Sequence, residues 1–247
     1  EVPTWSGTSE RGELTSEAGE VSEDTSTPFG TKTLGAYKWD SKIIKISSEL
    51  LEDSALDMAS EIGREIGERL GRAETYYVTR GTGSDEPAGM RGAIAESSVS
   101  AISYDNLVDL YTAIDPAHLS SPNCAWTIHK AQIAAIRKLK DSNNQPLWQP
   151  AMSAGDPDRL FGYPVLFNPY MDSTAVGDTG NERPIIFGDF GRVFLREVRE
   201  LRLHRLNERY IENDQVGFIA FMRFDSEVAD PGENALKALR IEADGGS

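Results

Sequence analysis

Ser48-Glu-Leu-Leu-Glu-Asp-Ser-Ala-Leu-Asp-Met-Ala-Ser-Glu-Ile-Gly-Arg-Glu-Ile-Gly-Glu-Arg-Leu-Gly-Arg72, running on into Tyr76-Tyr77-Val78-Thr79-Arg80-Gly81-Thr82-Gly83, decides how the rest of the chain is read. Apolar residues recur at Leu51, Ala55, Met58, Ala59, Ile62, Ile66 and Leu70, the spacing of one helix face. Ser48 stands as an N-cap, and Glu49, Glu52 and Asp53 suit the positive end of the helix dipole. The pattern predicts a single helix over 48–72, about 36 Å long, lying on a sheet with a solvated outer face. Tyr76-Tyr77-Val78 then reads as a strand, and Gly81 to Gly89 as a glycine-rich turn stiffened by Pro87.

Upstream, Leu34, Ala36, Trp39, Ile43, Ile44 and Ile46 with interleaved lysines predict strand over 33–47. Residues 1–31 differ from everything else. They hold seven acids against one arginine, a net charge of −6, with isolated Val2, Trp5, Leu14, Val21 and Phe29. Such a segment cannot build a core alone, so it is either an unstructured tail or a long hairpin that orders against a neighbour. Downstream, helices are expected over 103–117 and 130–139, and a strand over 125–128. Further strands are expected at 163–167, 185–187, 193–198, 201–206 and 216–224, separated by loops at 154–159 and 171–183. The order is α+β, with helices early and strands late.

The 247 residues carry 25 Lys and Arg against 40 Asp and Glu, a formal charge of −15. That excess of acid argues against a broad nucleic-acid footprint, which needs a basic face. It equally opposes adsorption to anionic membranes. No apolar run approaches the about 18 residues of a membrane span, since Val216–Met222 ends at Arg223. Cys124 is the single cysteine, so the chain forms no internal disulfide, and the residue reads as a small buried hydrophobe. The chain opens at Glu1 with no signal peptide, and is expected to be intracellular, with an upstream region removed or absent.

The chemical motifs fail one by one. GxGxxG requires glycine where Glu86 stands, and an acid there repels pyrophosphate. There is no P-loop, GxSxG elbow or HExxH pair. His118, His129 and His204 lack ligand spacing, and Asp156 and Asp158 do not continue into a calcium loop. No catalytic residue, cofactor or metal is therefore assigned, although a carboxylate pair of the glycosidase kind is never visible in sequence. The unusual pattern is Arg192, Arg196, Arg199, Arg202, Arg205 and Arg209, interrupted by Glu197, Glu200 and Glu208. It reads as the polar face of a half-buried strand pair, as an interface whose guanidinium forks meet carboxylates of another copy, or as a weak nucleic-acid contact.

Tyr76-Tyr77-Val78-Thr79-Arg80-Gly81-Thr-Gly83 with Pro87-Ala-Gly89-Met90 resembles a segment of the major capsid proteins of tailed double-stranded DNA bacteriophages, of the Hong Kong ninety-seven type. Leu160-Phe-Gly162-Tyr163-Pro164-Val165, Ile186-Phe-Gly188-Asp189-Phe190, and Asp214-Gln215-Val216 through Phe221-Met-Arg223-Phe-Asp225 are similar to later parts of that family. They occur in the family's order between about residues 33 and 242.

The resemblance implies an icosahedral shell subunit that self-assembles into hexamers and pentamers around double-stranded DNA and touches no membrane. It implies residues 1–46 as an E-loop extension, 47–94 with 186–225 as a peripheral domain built on the long helix, and 95–185 with 226–247 as an axial domain. Portal, scaffold or cementing proteins are implied partners, and assembly is expected in the host bacterial cytoplasm. The N-terminal arm that family members carry before the E-loop is expected to be missing. Candidate contacts between subunits are Trp5, Phe29, Arg196, Arg199 and Arg202. Encapsulin compartments and gene-transfer particles share the fold, and a soluble hydrolase using an unidentified carboxylate pair is the reading from a different class. The family's linking lysine has no equivalent, because residues 1–31 contain none.

Overall fold

The computed structural model describes residues 1–5, 14, 29–54, 57–140, 144–145, 158–173, 182–198, 201–230 and 235–242. In chain order its elements are β1 (Val2–Trp5), β2 (Phe29–Lys32), β3 (Tyr37–Asp40), β4 (Ile44–Ser47), α1 (Ser48–Asp53), α2 (Met58–Arg80), α3 (Met90–Ala93) and β5 (Ala95–Val99). There follow α4 (Tyr104–Thr112), α5 (Pro116–Leu119), β6 (Cys124–Ile128), α6 (Lys130–Arg137), β7 (Arg159–Leu160) and β8 (Tyr163–Phe167). The last are β9 (Glu182–Asp189), β10 (Val193–Glu197), β11 (Arg202–Leu206), β12 (Gln215–Val228) and β13 (Leu236–Ile241). The chain divides into two compact units, one of residues 1–33, 90–194 and 228–247, the other of 34–89 and 195–227.

The second unit is a long helix on a sheet, but the helix differs from its expectation at both ends. Its first turn is a separate helix, α1, capped by Ser47 rather than Ser48: the Ser47 hydroxyl accepts the Leu50 N–H at 3.3 Å. Ser54 is extended, and Asp57 opens α2 by accepting the N–H of Ser60 at 3.3 Å and its hydroxyl at 2.5 Å. At the other end α2 runs straight through Tyr76-Tyr77-Val78, where a strand was expected. Strand propensity loses there to packing. Ile62, Ile66, Leu70 and Thr79 are buried along one stripe, and the Tyr77 ring lies 4.0 Å from that of Trp39. The Thr75 and Thr79 hydroxyls satisfy themselves on the carbonyls of Gly71 and Thr75, at 2.8 and 2.7 Å, which makes β-branched residues acceptable inside the helix.

Beneath α2, β12 is the central strand. β4 pairs antiparallel with Gln215–Phe218 and β3 with Phe221–Phe224, while β11 pairs with Gly217–Phe221. Val216, Phe218 and Ala220 join Ile46, Ile62, Ile66 and Leu70 in one buried cluster, against which Trp39, Ile44 and Met222 pack. The outer side of α2 is a ladder of exposed ion pairs: Arg64 with Glu61 and Glu68, Arg69 with Glu65, and Arg72 with Glu65 and Glu68. Solvent screens such exposed pairs, so they add little to stability.

The helix stops at a tight glycine corner. Gly81 has an ordinary φ of −53°, so its glycine is needed for space: a Cβ there would overlap the Pro87 carbonyl oxygen. Gly83, at φ +76°, is needed for conformation. The corner closes with Gly83 N–H on Pro87 O at 3.1 Å and Gly89 N–H on Gly81 O at 2.9 Å.

The first unit holds a six-stranded sheet in the order β5-β13-β9-β6-β8-β7. β13 and β5 are parallel, as are β6 and β8; the other neighbours are antiparallel. Neither β5 nor β13 was expected from the sequence. Trp126 and Phe187 stack at 4.1 Å between centroids in the core, and the Trp126 indole N–H donates to Leu160 O at 3.0 Å. Leu107, Leu110, Ile114, Ile133 and Ile136 cover them from α4 and α6 and the turn after α4. The helix expected over 103–117 is interrupted, because Pro116 starts α5 instead of lying near a helix end. Arg183 pairs with Glu96, which also meets Arg240 at 3.5 Å, and Arg91 reaches Asp172 at 2.9 Å.

β1 and β2 form a separate two-stranded antiparallel ribbon, with Val2 opposite Lys32 and Trp5 opposite Phe29. Of the two expectations for residues 1–31, the hairpin is the one the described residues adopt at its base. A lone two-stranded ribbon is marginal in water.

Candidate functional site

The residues that sequence reasoning tested for chemistry have structural uses. His118 is buried in α5, and His129 caps α6 with Nδ1 accepting the Ala131 N–H at 3.1 Å. Cys124 is buried, and burial together with the nearby Asp189 carboxylate pushes its thiol up to about 11. Among the described residues no group of three or more His, Cys, Asp or Glu could hold a metal ion. No described helix is long and apolar enough to cross a membrane. One pair of carboxyls does come together. Glu74 of α2 and Glu197 of β10 share a hydrogen bond, and burial, with Glu197 adding to it, raises the Glu74 carboxyl above the usual glutamate range. Glycoside-cleaving pairs stand about 5 Å or more apart to straddle a bond, which hydrogen-bonded carboxyls cannot do.

The feature that stands out is a cationic groove on the sheet of the second unit. Along β12, Val216, Phe218, Ala220 and Met222 serve the helix side, so Gly217, Ile219, Phe221 and Arg223 face away. Register then assembles the groove. β11 sets Arg202 opposite Phe221 and His204 opposite Ile219, while β3 sets Lys38 opposite Arg223. The cavity is about 420 Å³ and is lined by Lys38, Val198, Arg202, His204, Phe221 and Arg223 among others. Lys38 Nζ sits 4.2 Å above the Phe221 ring and the His204 imidazole meets that ring edge-on at 6.0 Å. The local acid, Asp40, is turned to the Lys42 N–H at 2.8 Å. An apolar floor with cationic walls, in a chain of net charge −15, is suited to an acidic segment with scattered apolar residues.

Of the candidate contacts, Arg202 lines this groove. Arg196 does not; its guanidinium Nη1 donates to the carbonyls of Leu34 and Gly35, at 2.6 and 2.9 Å, in its own subunit. Trp5 and Phe29 are cross-strand partners in the ribbon. Arg199 lies outside the described residues. Sequence reasoning passed over Lys38, Phe221 and Arg223, and the signal available for the last two was the alternation along β12.

A family model described as the phage capsid family matches residues 1–241. The structure is similar to the capsid of a native GTA particle, with 26% identity and a TM-score of 0.77 over 98% of this chain and 85% of that one. It is similar to the capsid of an empty GTA particle at 27% identity and TM-score 0.73, over 94% and 81% of the two chains. Gordonia phage Cozz, at 18% identity and TM-score 0.64 over 98% and 81%, shares the fold. No curated protein matches significantly. With a long helix on a sheet in one unit, a six-stranded sheet in the other, a two-stranded ribbon and a family match along nearly its whole length, the chain belongs to the phage capsid family: it is a structural shell subunit with the Hong Kong ninety-seven type capsid fold.

Proposed function

We propose that copies of this chain form the hexamers and pentamers of an icosahedral shell enclosing double-stranded DNA, with the acidic ribbon of one copy reaching across the next. The β1–β2 ribbon stands for the E-loop (expected over 1–46), the α2 unit for the peripheral domain (47–94 and 186–225), and the six-stranded unit for the axial domain (95–185 and 226–247). The carrying observation is charge complementarity within one chain: residues 1–31 hold seven acids against one arginine, while Lys38, Arg202 and Arg223 ring an open groove. Exposed pairs contribute about 0–1 kcal/mol each, so Trp5 and Phe29 are the anchors and the charges set the register. The reading needs no catalytic group, cofactor or metal. It places assembly in the host bacterial cytoplasm and leaves room for portal, scaffold and cementing partners.

A gene-transfer particle is the second reading of the same shell, favoured by the 26% and 27% identity to two GTA capsids. Sequencing the DNA recovered from particles separates it from a phage. Deleting residues 2–31 tests the assembly reading itself. The expected result is a folded subunit that yields no particles by negative-stain microscopy, and normal particles from the deletion would overturn it.

A further inference from the structure

Arg196 is a member of the arginine series that does not line the groove. It sits on β10, and Val198, two residues on, donates its N–H to Arg223 O at 2.8 Å. Arg223 pairs with Lys38 of β3 on its other side, so β10 runs along the edge of β12 opposite β3. The Arg196 side chain therefore crosses β12 to reach the Leu34 and Gly35 carbonyls, which lie just before β3. From β12 itself, Asp225 completes the grip: its Oδ2 accepts the Gly35 N–H, and its Oδ1 accepts the Ser226 N–H at 2.9 Å. Asp225 is only 6% exposed, so this carboxylate has exchanged water for those two donors. The peptide at Leu34–Gly35 is thus held on both its carbonyls and its N–H.

The position of that grip matters. β2 ends at Lys32 and β3 begins at Tyr37, so residues 33–36 are the stretch through which the acidic extension joins the sheet. Gly35 at its centre is the residue with the widest backbone freedom. Left alone, such a link would be a swivel. We infer that Arg196 and Asp225 are positioning residues that fix the direction in which residues 1–33 leave the sheet unit, and so select the neighbour that the extension can reach. This rests on the shell reading, and it differs from the expectation that Arg196 meets another copy directly.

The test uses the full chain with spin labels at Thr31→Cys and Ile211→Cys, two exposed positions on either side of the link, Cys124 being buried. Distance distributions are measured on the subunit before assembly, then particle yield is counted. Arg196→Gln should broaden the distribution and lower the yield several-fold while the thermal melt stays unchanged, and Arg196→Lys, which retains donors for the carbonyls, should restore much of both. An unchanged distribution in Arg196→Gln overturns the inference, whatever the yield. A broadened distribution with normal yield overturns it too, because the direction would then not govern assembly. Failure of the parent chain to assemble would strike the shell reading alone, since the distribution still reports the grip.

Discussion

Gly89 donates its N–H to the Gly81 carbonyl at 2.9 Å, and the two backbones approach so closely that a Cβ on Gly89 would overlap the Gly81 nitrogen. This contact turns the chain at the end of the long helix. Ser226 of β12 locks the return: its carbonyl accepts the Ala88 N–H at 3.1 Å and its hydroxyl donates to Ala88 O at 2.9 Å. Gly89→Ala should therefore cost about 1–3 kcal/mol, as overpacking does, visible as a lower midpoint in denaturant unfolding.

The opposite sign is expected along α2. Gly63, Gly67 and Gly71 lie inside the helix, and a Cβ added at any of them would meet nothing within 4 Å. Replacing Gly67 by Ala should stabilise the isolated subunit by about 1 kcal/mol, since alanine loses less backbone freedom in a helix. Chemical denaturation of the unassembled chain measures it, and a loss of stability there would show that the position is packed.

Cys124 should be silent toward iodoacetamide in the native subunit. Only the thiolate alkylates, and burial with Asp189 beside it holds the thiol at about 11, above the usual cysteine value. Labelling at pH 8 is expected only after denaturant is added. Mass spectrometry of the native protein that finds full modification would contradict this.

Glu74 gives a pH dependence of defined sign. Its folded pKa is raised, by burial first and Glu197 second, so the folded state binds the proton more tightly than the unfolded one. That contribution is fully present below the usual glutamate range and is lost as pH rises through the raised value. Glu74→Gln should raise the melting temperature at neutral pH relative to the parent, with the difference shrinking below pH about 4. An equal shift at both pH values would remove Glu74 as the cause.

Mature particles should run as a single band near the subunit mass of 27.1 kDa in denaturing gels. An isopeptide link of the family's kind needs an amine toward the tip of the extension, and residues 1–31 contain no lysine, Lys32 being the first. A boiling-resistant ladder of pentamer and hexamer bands would refute a shell held by non-covalent contacts.

The helix stripe at Ile62, Ile66 and Leu70 was plain in the sequence, because a 3.6-residue period is a local property. Its continuation through Tyr76–Thr79 was not, since what keeps those residues helical is Trp39, nearly forty residues upstream and brought in by strand pairing. β13 went unseen for a related reason: Ala235, Leu236, Ala238 and Leu239 are buried across both faces, which erases the alternation that marks a strand. Arg202 was visible as a candidate, yet the groove that gives it meaning depends on register between β3, β11 and β12. Lys38 and Arg223 are neighbours in the sheet and strangers in the chain.

The ion-pair ladder of α2 carries one more consequence. The helix contains four glutamates and four arginines and no other charged residue, so it is electrically silent within a chain of net charge −15. The surplus of negative charge must then reside on other surfaces. A silent rod of this kind can lie beside a polyanion or beside another acidic subunit without repulsion. Added salt would leave its contacts almost untouched while weakening the proposed ones between the acidic extension and the cationic groove. Ionic strength is thus a knob that turns one class of contact and not the other.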